Sequence, residues 1–286
     1  MNIVVCIKQV PDSTHIRVHP VTNTIMRQGV PAIINPYDLF AIEEALRLRD
    51  AHGGKVTVMT MGPPPAAAAL KKALAYGCDE AVLVTDKIFS GADTLATSYV
   101  LAAAITMLNK EAPVDLVFTG KQTIDGDTAQ VGPGIAKRLD LELLTYVAKI
   151  VAVDQAAGTI QVERRAEGGV QLLETRLPAL ITMLEGSNEI RFGSAPDVFR
   201  AARAEVRVWD RNSAGIEDIK KVGLKGSPTI VSRVFGPTPR DEKAEQIAFD
   251  PATPETATQA LLEKVLTMPK VAKELERHQT TGARHE

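Results

Sequence analysis

The sequence predicts an α/β protein with a mostly parallel, doubly wound sheet, a β-hairpin edge and an extended C-terminal arm. In the first half of the chain, short apolar runs alternate four times with amphipathic stretches, which is typical of a parallel sheet covered by helices on both faces. From about 145 to 183, strand-like runs follow one another and alternate around Gly158, which predicts a hairpin edge. After about residue 205 the hydrophobic periodicity fades.

The first half supplies the repeating units in order. Each predicted strand is a short apolar run, and each predicted helix has apolar residues at helical spacing with a start or stop signal nearby. The strands are predicted at 2–7, 55–61, 80–85 and 114–119. The helices are predicted from Asn35 to Gly53, from the break at 62–65 to about Tyr76, from Asp93 or Thr94 to Leu108, and from Asp127 through Leu139. A polar hairpin is predicted at 15–28.

The second half contains fewer helical signals. Four further strands are predicted at 147–153, 159–165, 171–176 and 179–183. Gly, Pro and charged residues predominate at 210–258, and a helical pattern returns at 255–276. We therefore predict a nucleotide-binding domain at 1–208 and a C-terminal arm with a helix at 209–286. Because the arm has few core residues, it is expected to pack on a partner.

The composition excludes several functional classes. The formal net charge of the 286 residues is −2, and 4% of them are aromatic, so neither nucleic acid nor an anionic membrane is an expected partner. No apolar run reaches 18 residues and no signal-peptide pattern is present, which predicts a cytoplasmic protein without direct membrane insertion. Cys6 and Cys78 are predicted to be packed thiols. His15 and His19 are four apart without a cysteine or carboxylate partner nearby, so no metal site is predicted.

The most informative segment is 115–133, in which a buried strand ends at Gly120 and a polar turn leads into a helix. Such a turn presents free backbone N–H groups at the carboxyl edge of the sheet, where open α/β sheets bind phosphate. Gly126 and Gly132 would let the backbone approach a ligand. Lys121 adds a positive charge, and Gln122, Thr128 and Gln130 can bond sugar or phosphate. The alternative is a simple βα loop with a well-capped helix.

Several separated motifs, in order along residues 1–208, resemble the β subunit of electron-transferring flavoproteins. The motifs are Val5-Cys-Ile-Lys-Gln-Val-Pro-Asp12, Asn35-Pro-Tyr-Asp38 with Ala41-Ile-Glu-Glu-Ala45, Gly120-Lys-Gln122 with Ile124-Asp125, and Val162-Glu-Arg-Arg-Ala-Glu-Gly-Gly169 with Leu177-Pro-Ala-Leu-Ile-Thr182. The resemblance implies an adenine-nucleotide α-hydrolase-like fold. It also implies a heterodimer with an α subunit that carries its own FAD.

The resemblance implies that the β subunit holds an adenine nucleotide at the sheet edge, either structural AMP or the ADP part of a second FAD reduced by NADH. Because the flavin carries out the redox steps, no catalytic side chain is predicted. The expected cofactor-binding residues are Cys6, Asn35, Asp38, Met61, Thr94, Thr97, Gly120, Lys121, Gln122, Asp125, Gly126, Asp127, Thr128, Ala129, Gln130 and Val131.

Two segments favour the electron-bifurcating, FAD-binding branch. The run from Asp125 to Pro133 resembles the bifurcating pattern, whereas AMP-type members resemble three successive aspartates followed by Asn-Gln-Thr. A glycine at 126 removes charge and bulk from the path of a diphosphate. Residues 89–99 resemble the helix that lies against the β-flavin. Thr94 and Thr97 are three apart and share a helix face, although Thr94 could be only an N-cap and Thr97 an exposed residue.

Electrons from NADH would then pass to a low-potential acceptor, such as ferredoxin or flavodoxin, and through the α-subunit FAD to a dehydrogenase or a quinone-linked oxidoreductase. The family's dehydrogenase-docking loop corresponds here to residues 186–196. Ala195 stands where that family has a leucine, and Ile190 and Phe192 are the available apolar anchors, unless they tuck into the core of this chain.

Three alternatives remain open. A β subunit with structural AMP would not bifurcate. Residues 90–94 faintly resemble the pyrophosphate-cleaving loop of ATP-dependent amidating enzymes, but they follow the third strand rather than the first. An adenine-nucleotide-binding regulatory or stress module would explain the nucleotide loop, but not the 160–182 signature or the long tail.

Overall fold

The computed structural model describes residues 1–12, 31–232 and 245–273, together with the backbone of 17–18 and 25–26. The chain forms two compact units, Met1–Phe235 and Gly236–Glu286. The first unit contains the sheet and the predicted nucleotide loop. The second contains a helix, Pro254–Thr267, at the place where the sequence predicts one, and none of the residues of this helix is buried.

The bounds of the strands and helices follow the sequence prediction through most of the chain. The strands are β1 (Asn2–Cys6), β2 (Gln9–Pro11), β3 (Arg17–Val18), β4 (Ile25–Met26), β5 (Ala32–Ile34), β6 (Lys55–Met61), β7 (Glu80–Val84), β8 (Leu116–Gly120), β9 (Glu142–Asp154), β10 (Thr159–Ala166), β11 (Gly169–Arg176), β12 (Ala179–Met183) and β13 (Arg207–Trp209). The helices are α1 (Pro36–His52), α2 (Ala67–Tyr76), α3 (Thr94–Glu111), α4 (Val131–Leu139), α5 (Ala195–Arg203) and α6 (Pro254–Thr267).

The main sheet confirms the predicted α/β fold. Its strand order is β11-β10-β9-β12-β8-β1-β6-β7-β13. The pairs from β9 to β13 in that order are parallel, and β9, β10 and β11 form the antiparallel edge. Separately, β3 and β4 pair antiparallel within the predicted polar hairpin at 15–28.

Helices cover both faces of the sheet, as a doubly wound fold requires. One buried cluster joins the sheet to α1 and α2 through residues such as Leu46 and Leu70. The other joins it to α3 and α4 through residues such as Val100 and Ile135. Alternate residues of the buried strands enter opposite clusters, since successive side chains of a strand point to opposite faces.

The order of the strands places a topological switch point between β1 and β8. From β1 the chain moves through α1 to β6 and through α2 to β7, and then returns through α3 to β8 on the other side of β1. In open α/β sheets the crevice outside the carboxyl ends at such a point binds ligands. Here Lys8 follows β1, and the predicted nucleotide loop follows β8.

The structure differs from the sequence prediction at three places. Helix α4 begins at Val131 rather than at Asp127, because Asp127 and Ala129 adopt left-handed backbone conformations (φ 55° and 54°) that a helix does not contain. Helix α5 and strand β13 were not predicted. The first unit also extends beyond the boundary placed after residue 208, because Trp209, at the end of β13, and Ala214 and Val222 beyond it are buried in the core.

Candidate nucleotide site at the carboxyl edge of the sheet

Two buried polar side chains, Asp38 and Asn35, connect the chain segments that meet at the switch point, and we call them the buried polar bracket. Asp38, at the start of α1, accepts the backbone N–H of Lys8 at 2.7 Å with one carboxylate oxygen and that of Gly120 at 3.1 Å with the other. It therefore joins the ends of β1 and β8. Gly120 has to be glycine, because a Cβ there would lie 2.6 Å from the Asp38 carboxylate.

Asn35 completes the bracket by fixing the first turn of the nucleotide loop. Its side chain donates to the carbonyl of Gln122 at 2.9 Å and accepts the N–H of Ile124 at 3.1 Å. Asn35 is fully buried and Asp38 nearly so. Both were predicted to bind the cofactor. In the structure the side chain of Asn35 bonds to the loop backbone, and that of Asp38 bonds to the backbone at the ends of β1 and β8.

Burial raises the pKa of two predicted site residues. It raises the pKa of the Asp38 carboxyl to about 7, although the hydrogen bonds from Asn35, Lys8 and Gly120 oppose the shift. It also raises the pKa of the Cys6 thiol to about 12, with a further contribution from the charge of Asp38. Cys6 is therefore a neutral packed thiol at physiological pH, as predicted, and contributes shape to the floor of the site.

The loop after β8 ends at a helix N-terminus without a side-chain cap. Gln130 occupies the N-cap position of α4 and makes no capping hydrogen bond. Among the residues that the structure describes, none accepts a hydrogen bond from the backbone N–H of Thr128, Ala129, Gln130 or Val131. Free N–H groups at a helix start favour an anion.

The two glycines of this loop have different roles. A Cβ on Gly126 would meet only the Thr123 hydroxyl, at 3.3 Å, so the packing of the chain does not require glycine there. Gly132 is buried, and a Cβ would lie 2.9 Å from the hydroxyl of Thr119 on β8 and 3.0 Å from Thr182 on β12. Gly132 therefore allows α4 to pack closely on the sheet, and the prediction that it also lets the backbone approach a ligand stays a prediction.

The carboxylates of the loop are bonded within the chain. Lys8 Nζ contacts both carboxylate oxygens of Asp125, at 2.7 and 2.8 Å, and this pairing contributes to a lowered pKa of Asp125 even though burial opposes the shift. The Gln122 side chain donates to Asp127. These contacts reduce the repulsion that two carboxylates would exert on a phosphate.

Lys121 points away from the loop that follows it. Its ammonium group pairs with Glu185 at 2.9 Å and lies 4.8 Å from the centre of the Tyr37 ring. The hydrogen bond to Glu185 raises the pKa of Lys121. The predicted positive charge is thus on the α1 side of the sheet, and Lys8 is the cation that contacts the loop.

The start of α3 meets the loop on the other side of the sheet. The Thr94 hydroxyl donates to the Gln130 side chain at 2.7 Å. Asp93, rather than Thr94, caps α3 by accepting the N–H groups of Leu95 and Ala96. Thr97 lies one turn further along α3 and is half-buried.

The predicted cofactor-binding residues therefore form two groups. Cys6, Met61 and Val131 contribute to the cluster under α3 and α4, on the side where Thr94 reaches Gln130. Asn35, Asp38 and Lys121 lie on the α1 side, where they bond to the chain itself. The first group therefore lies on the same side of the sheet as the contact between the start of α3 and the nucleotide loop.

The predicted docking residues lie elsewhere, on the segment between β12 and α5. Arg191 pins this segment to α1 through Glu43 at 2.8 Å and Asp50 at 2.7 Å. Gly193 lies so close to α2 that a Cβ would be 1.8 Å from the carbonyl of Ala75. Phe192, between them, is 94% exposed, so it does not enter the core.

The other two predicted docking residues are less prominent than Phe192. Ile190 is half-buried, and Ala195 is the exposed first residue of α5. Helix α5 adds Val198 and Phe199, which are 50% and 66% exposed. Sequence reasoning missed this helix and its two apolar residues. Ser194 before Ala195-Pro196 is a helix-start signal that could have revealed them.

Sequence reasoning also missed Lys8 and Glu185 as site residues. Each lies two residues beyond the carboxyl end of a parallel strand, which is the signal that could have found them. His15 and His19 lie outside the described residues. Within the described ranges, no group of three His, Cys, Asp or Glu side chains is arranged to hold a metal ion. None of the helices described there has the length and hydrophobicity that crossing a membrane requires.

Comparisons with known proteins agree with this architecture. Residues 22–214 match the model of the electron transfer flavoprotein domain. The chain is 67% identical to Protein FixA of Azotobacter vinelandii over 93% of its own length and 95% of that protein. It is 62% identical to Protein FixA of Bradyrhizobium diazoefficiens, over 96% and 95% of the two chains. It is 49% identical to the electron transfer flavoprotein subunit beta of Clostridium acetobutylicum, over 82% and 87%.

Proposed function

The chain belongs to the electron transfer flavoprotein family, and from that premise we propose that it is the β-type subunit of a heterodimer that binds FAD at the sheet edge. The heterodimer oxidises NADH and divides the electrons between a low-potential acceptor, ferredoxin or flavodoxin, and a second route. That route runs through FAD in the α subunit to a dehydrogenase or quinone-linked oxidoreductase. The observation that carries the proposal is the uncapped start of α4 at the switch point, with its free N–H groups.

The residues of this site fit the ADP part of FAD. The N–H groups of Thr128 to Val131 can donate to the phosphates, and the pairing of Lys8 with Asp125 removes a competing negative charge. The contact between Thr94 and Gln130 brings the start of α3 to the same space. A ligand that extends from the loop along α3 would therefore contact both, as FAD requires. When bound, the flavin supplies hydride acceptance and single-electron transfer, while the chain supplies position and electrostatics.

One observation favours AMP, the non-bifurcating alternative. Lys8 and Lys121, the cations that the loop region offers, are both paired with carboxylates. A single phosphate needs less positive charge than a diphosphate. The exposed position of Gly126 supports FAD instead, because the packing of the chain does not explain a glycine there.

Cofactor content decides between the two. The heterodimer is purified with its α-type subunit and denatured, and the released nucleotides are separated by chromatography. We expect two FAD and no AMP per heterodimer. One FAD and one AMP would reject the bifurcating function and leave the assignment as an electron-transfer β-type subunit intact.

The exposed apolar residues of the segment between β12 and α5 support the docking of a dehydrogenase or oxidoreductase there. Phe192 is held between two pinned neighbours, Arg191 and Gly193, so its ring can enter a partner pocket at little cost in conformational entropy. Because Ala195 replaces the leucine anchor, Phe192 is the principal anchor in this proposal.

A further inference from the structure

A groove with a volume of about 850 Å³ runs along the outer surface of α3, between the end of α4 and residues 212–226. We call it the α3 groove and define it by Leu95, Tyr99, Met107, Arg138, Ile216 and Lys221. It lies on the side of the sheet occupied by α3 and α4, and it is open to solvent along α3.

The charges of the α3 groove are mainly positive and mostly unpaired. Lys110 and Arg138 line it, and in the described part of the chain neither forms a salt bridge. Arg138 donates to the carbonyl of Leu95 at 3.0 Å, and Lys110 contacts the sulfur of Met107 at 3.7 Å. Lys221 pairs with Asp218 only at 3.7 Å, and its side chain is 64% exposed. These cations can therefore interact with an external anionic surface.

Two of these cations lie near the aromatic ring of Tyr99. The guanidinium of Arg138 is 5.9 Å from the ring centre, and the ammonium group of Lys221 is 5.7 Å from it. Both contacts are electrostatically favourable and hold the cations over the groove. Glu217 is the carboxylate among the residues that line it.

Apolar side chains accompany these charges. Leu95 is 49% exposed on the first turn of α3, and Ile219 and Leu224 on the neighbouring segment are 54% and 61% exposed. Exposed apolar groups surrounded by charged ones are typical of protein docking surfaces. A small anion would not need apolar contacts distributed over two segments of the chain.

The walls of the groove are fixed. The Tyr99 hydroxyl accepts the N–H of Asp218 at 3.2 Å. Ser227 accepts the N–H of Asp93 at 2.8 Å, and Thr229 donates to the Asp93 carboxylate at 2.7 Å. The segment that forms the outer wall is therefore attached to α3 at its middle and just beyond its C-terminal end.

The groove also begins at the candidate nucleotide site. Leu95 follows Thr94, whose hydroxyl contacts Gln130 of the nucleotide loop. A protein bound over Leu95 would lie next to whatever the nucleotide site holds. Short distance is what single-electron transfer between two proteins requires.

We propose that the α3 groove docks the acidic surface of a protein that accepts single electrons from the nucleotide site. The proposal rests on the proposed function, because it names the surface used by the low-potential acceptor. Its basis is charge complementarity, with Lys110, Arg138 and Lys221 facing carboxylates of the partner while Leu95 supplies an apolar contact at the end of the groove next to the nucleotide site. Such contacts steer association and are weakened by salt.

The test uses the purified heterodimer and, as the probe, a flavodoxin of net negative charge. Lys110→Glu and Lys221→Glu each reverse one charge of the groove. Lys72→Glu is the matched control, because Lys72 is exposed on α2, which packs on the opposite face of the sheet. The dissociation constant is measured by titration at low and high salt, and the cofactor content of each variant is measured beside it.

We expect each groove variant to weaken binding roughly tenfold at low ionic strength, with the difference shrinking as salt screens the charges. The control is expected to bind as the unaltered protein does. Equal binding by all variants, or no binding by the unaltered heterodimer, would overturn the proposal. Failure of the groove variants alone to assemble would also overturn it, and would assign the groove to the α subunit.

The binding measurement is independent of flavin chemistry. If the β-type subunit holds AMP, NADH will not reduce the probe through it, and the proposed function fails while groove binding can still be observed. If FAD is present and NADH reduces the probe equally well in all variants, the proposed function survives and the docking surface is rejected.

Discussion

Replacing Asp38 by asparagine should alter the pH dependence of stability in a direction that the structure specifies. Asp38 bridges the N–H groups of Lys8 and Gly120, and burial raises its pKa from 3.8 to about 7. The folded state therefore binds a proton more tightly than the unfolded chain does. The stability that this proton contributes is fully present below pH 4 and is lost as the pH rises through 7.

The magnitude follows from the shift. Between pH 5 and pH 7 the folded protein retains a proton on Asp38 that the unfolded chain has lost, and each pH unit is worth about 1.4 kcal/mol. The unaltered protein should thus lose about 3 kcal/mol of unfolding free energy from this group between pH 5 and pH 8. The amide that replaces the carboxyl does not titrate, so the variant lacks this loss.

The variant also carries a cost that does not depend on pH. The amide nitrogen of asparagine cannot accept a hydrogen bond, so one of the two backbone N–H groups is left without its partner, at a cost of about 1–3 kcal/mol. Asp38→Asn should therefore be less stable than the unaltered protein at pH 5. Relative to it, the variant should become more stable by about 3 kcal/mol as the pH approaches 8.

Urea denaturation of the purified chain at pH 5, 6, 7 and 8 measures this difference. Asp115→Asn is a suitable control, because Asp115 accepts the backbone N–H of Asn2 at 2.7 Å at the opposite edge of the sheet. A difference between Asp38→Asn and the unaltered protein that stays constant from pH 5 to 8 would refute the reasoning. A difference that changes in the opposite direction would mean that hydrogen bonding to the carboxylate outweighs its burial.

Two further predictions concern binding. Gly126→Asp should raise the dissociation constant of the β-bound nucleotide roughly tenfold, because the new carboxylate repels its phosphates. The urea midpoint of unfolding should not change, because Gly126 is exposed and its φ lies outside the left-handed region. Unchanged nucleotide content in the variant would show that the diphosphate does not lie near this residue. Truncating both Ile190 and Phe192 to alanine should leave NADH oxidation intact and impair electron transfer to the partner dehydrogenase or oxidoreductase, because each side chain buried in the partner contributes about 2 kcal/mol to docking. Val170→Ala, on the exposed edge strand β11, is the control. Equal turnover of the double variant across a panel of partners would reject the segment as the docking site.

The sequence was sufficient for most strands and helices because their signals are local, although helix α5 and strand β13 were missed. Each signal lies within a few residues of the strand or helix that it predicts. Examples are the apolar runs at 2–7 and 114–119 and the helix signals at Asn35-Pro36 and Gly53. The position of the nucleotide loop follows in the same way, because the loop between a parallel strand and the next helix lies at the carboxyl edge of the sheet. The start of α4 was predicted too early because the left-handed conformations of Asp127 and Ala129 leave no periodic signal.

The sequence by itself therefore determined the α/β class, the family resemblance and the segment that is predicted to bind a nucleotide. Only the tertiary structure decided which residues contact that segment and which bond elsewhere. Lys8 contacts Asp125 across 117 positions of the chain, and Asp38 contacts Gly120 across 82. Hydrophobic periodicity indicates which residues share a face of one strand or helix. Ion pairs and buried hydrogen bonds between distant segments depend instead on the order of the strands in the sheet. That order turned Lys121 towards Glu185 and left the backbone of Thr128 to Val131 free to bind an anion.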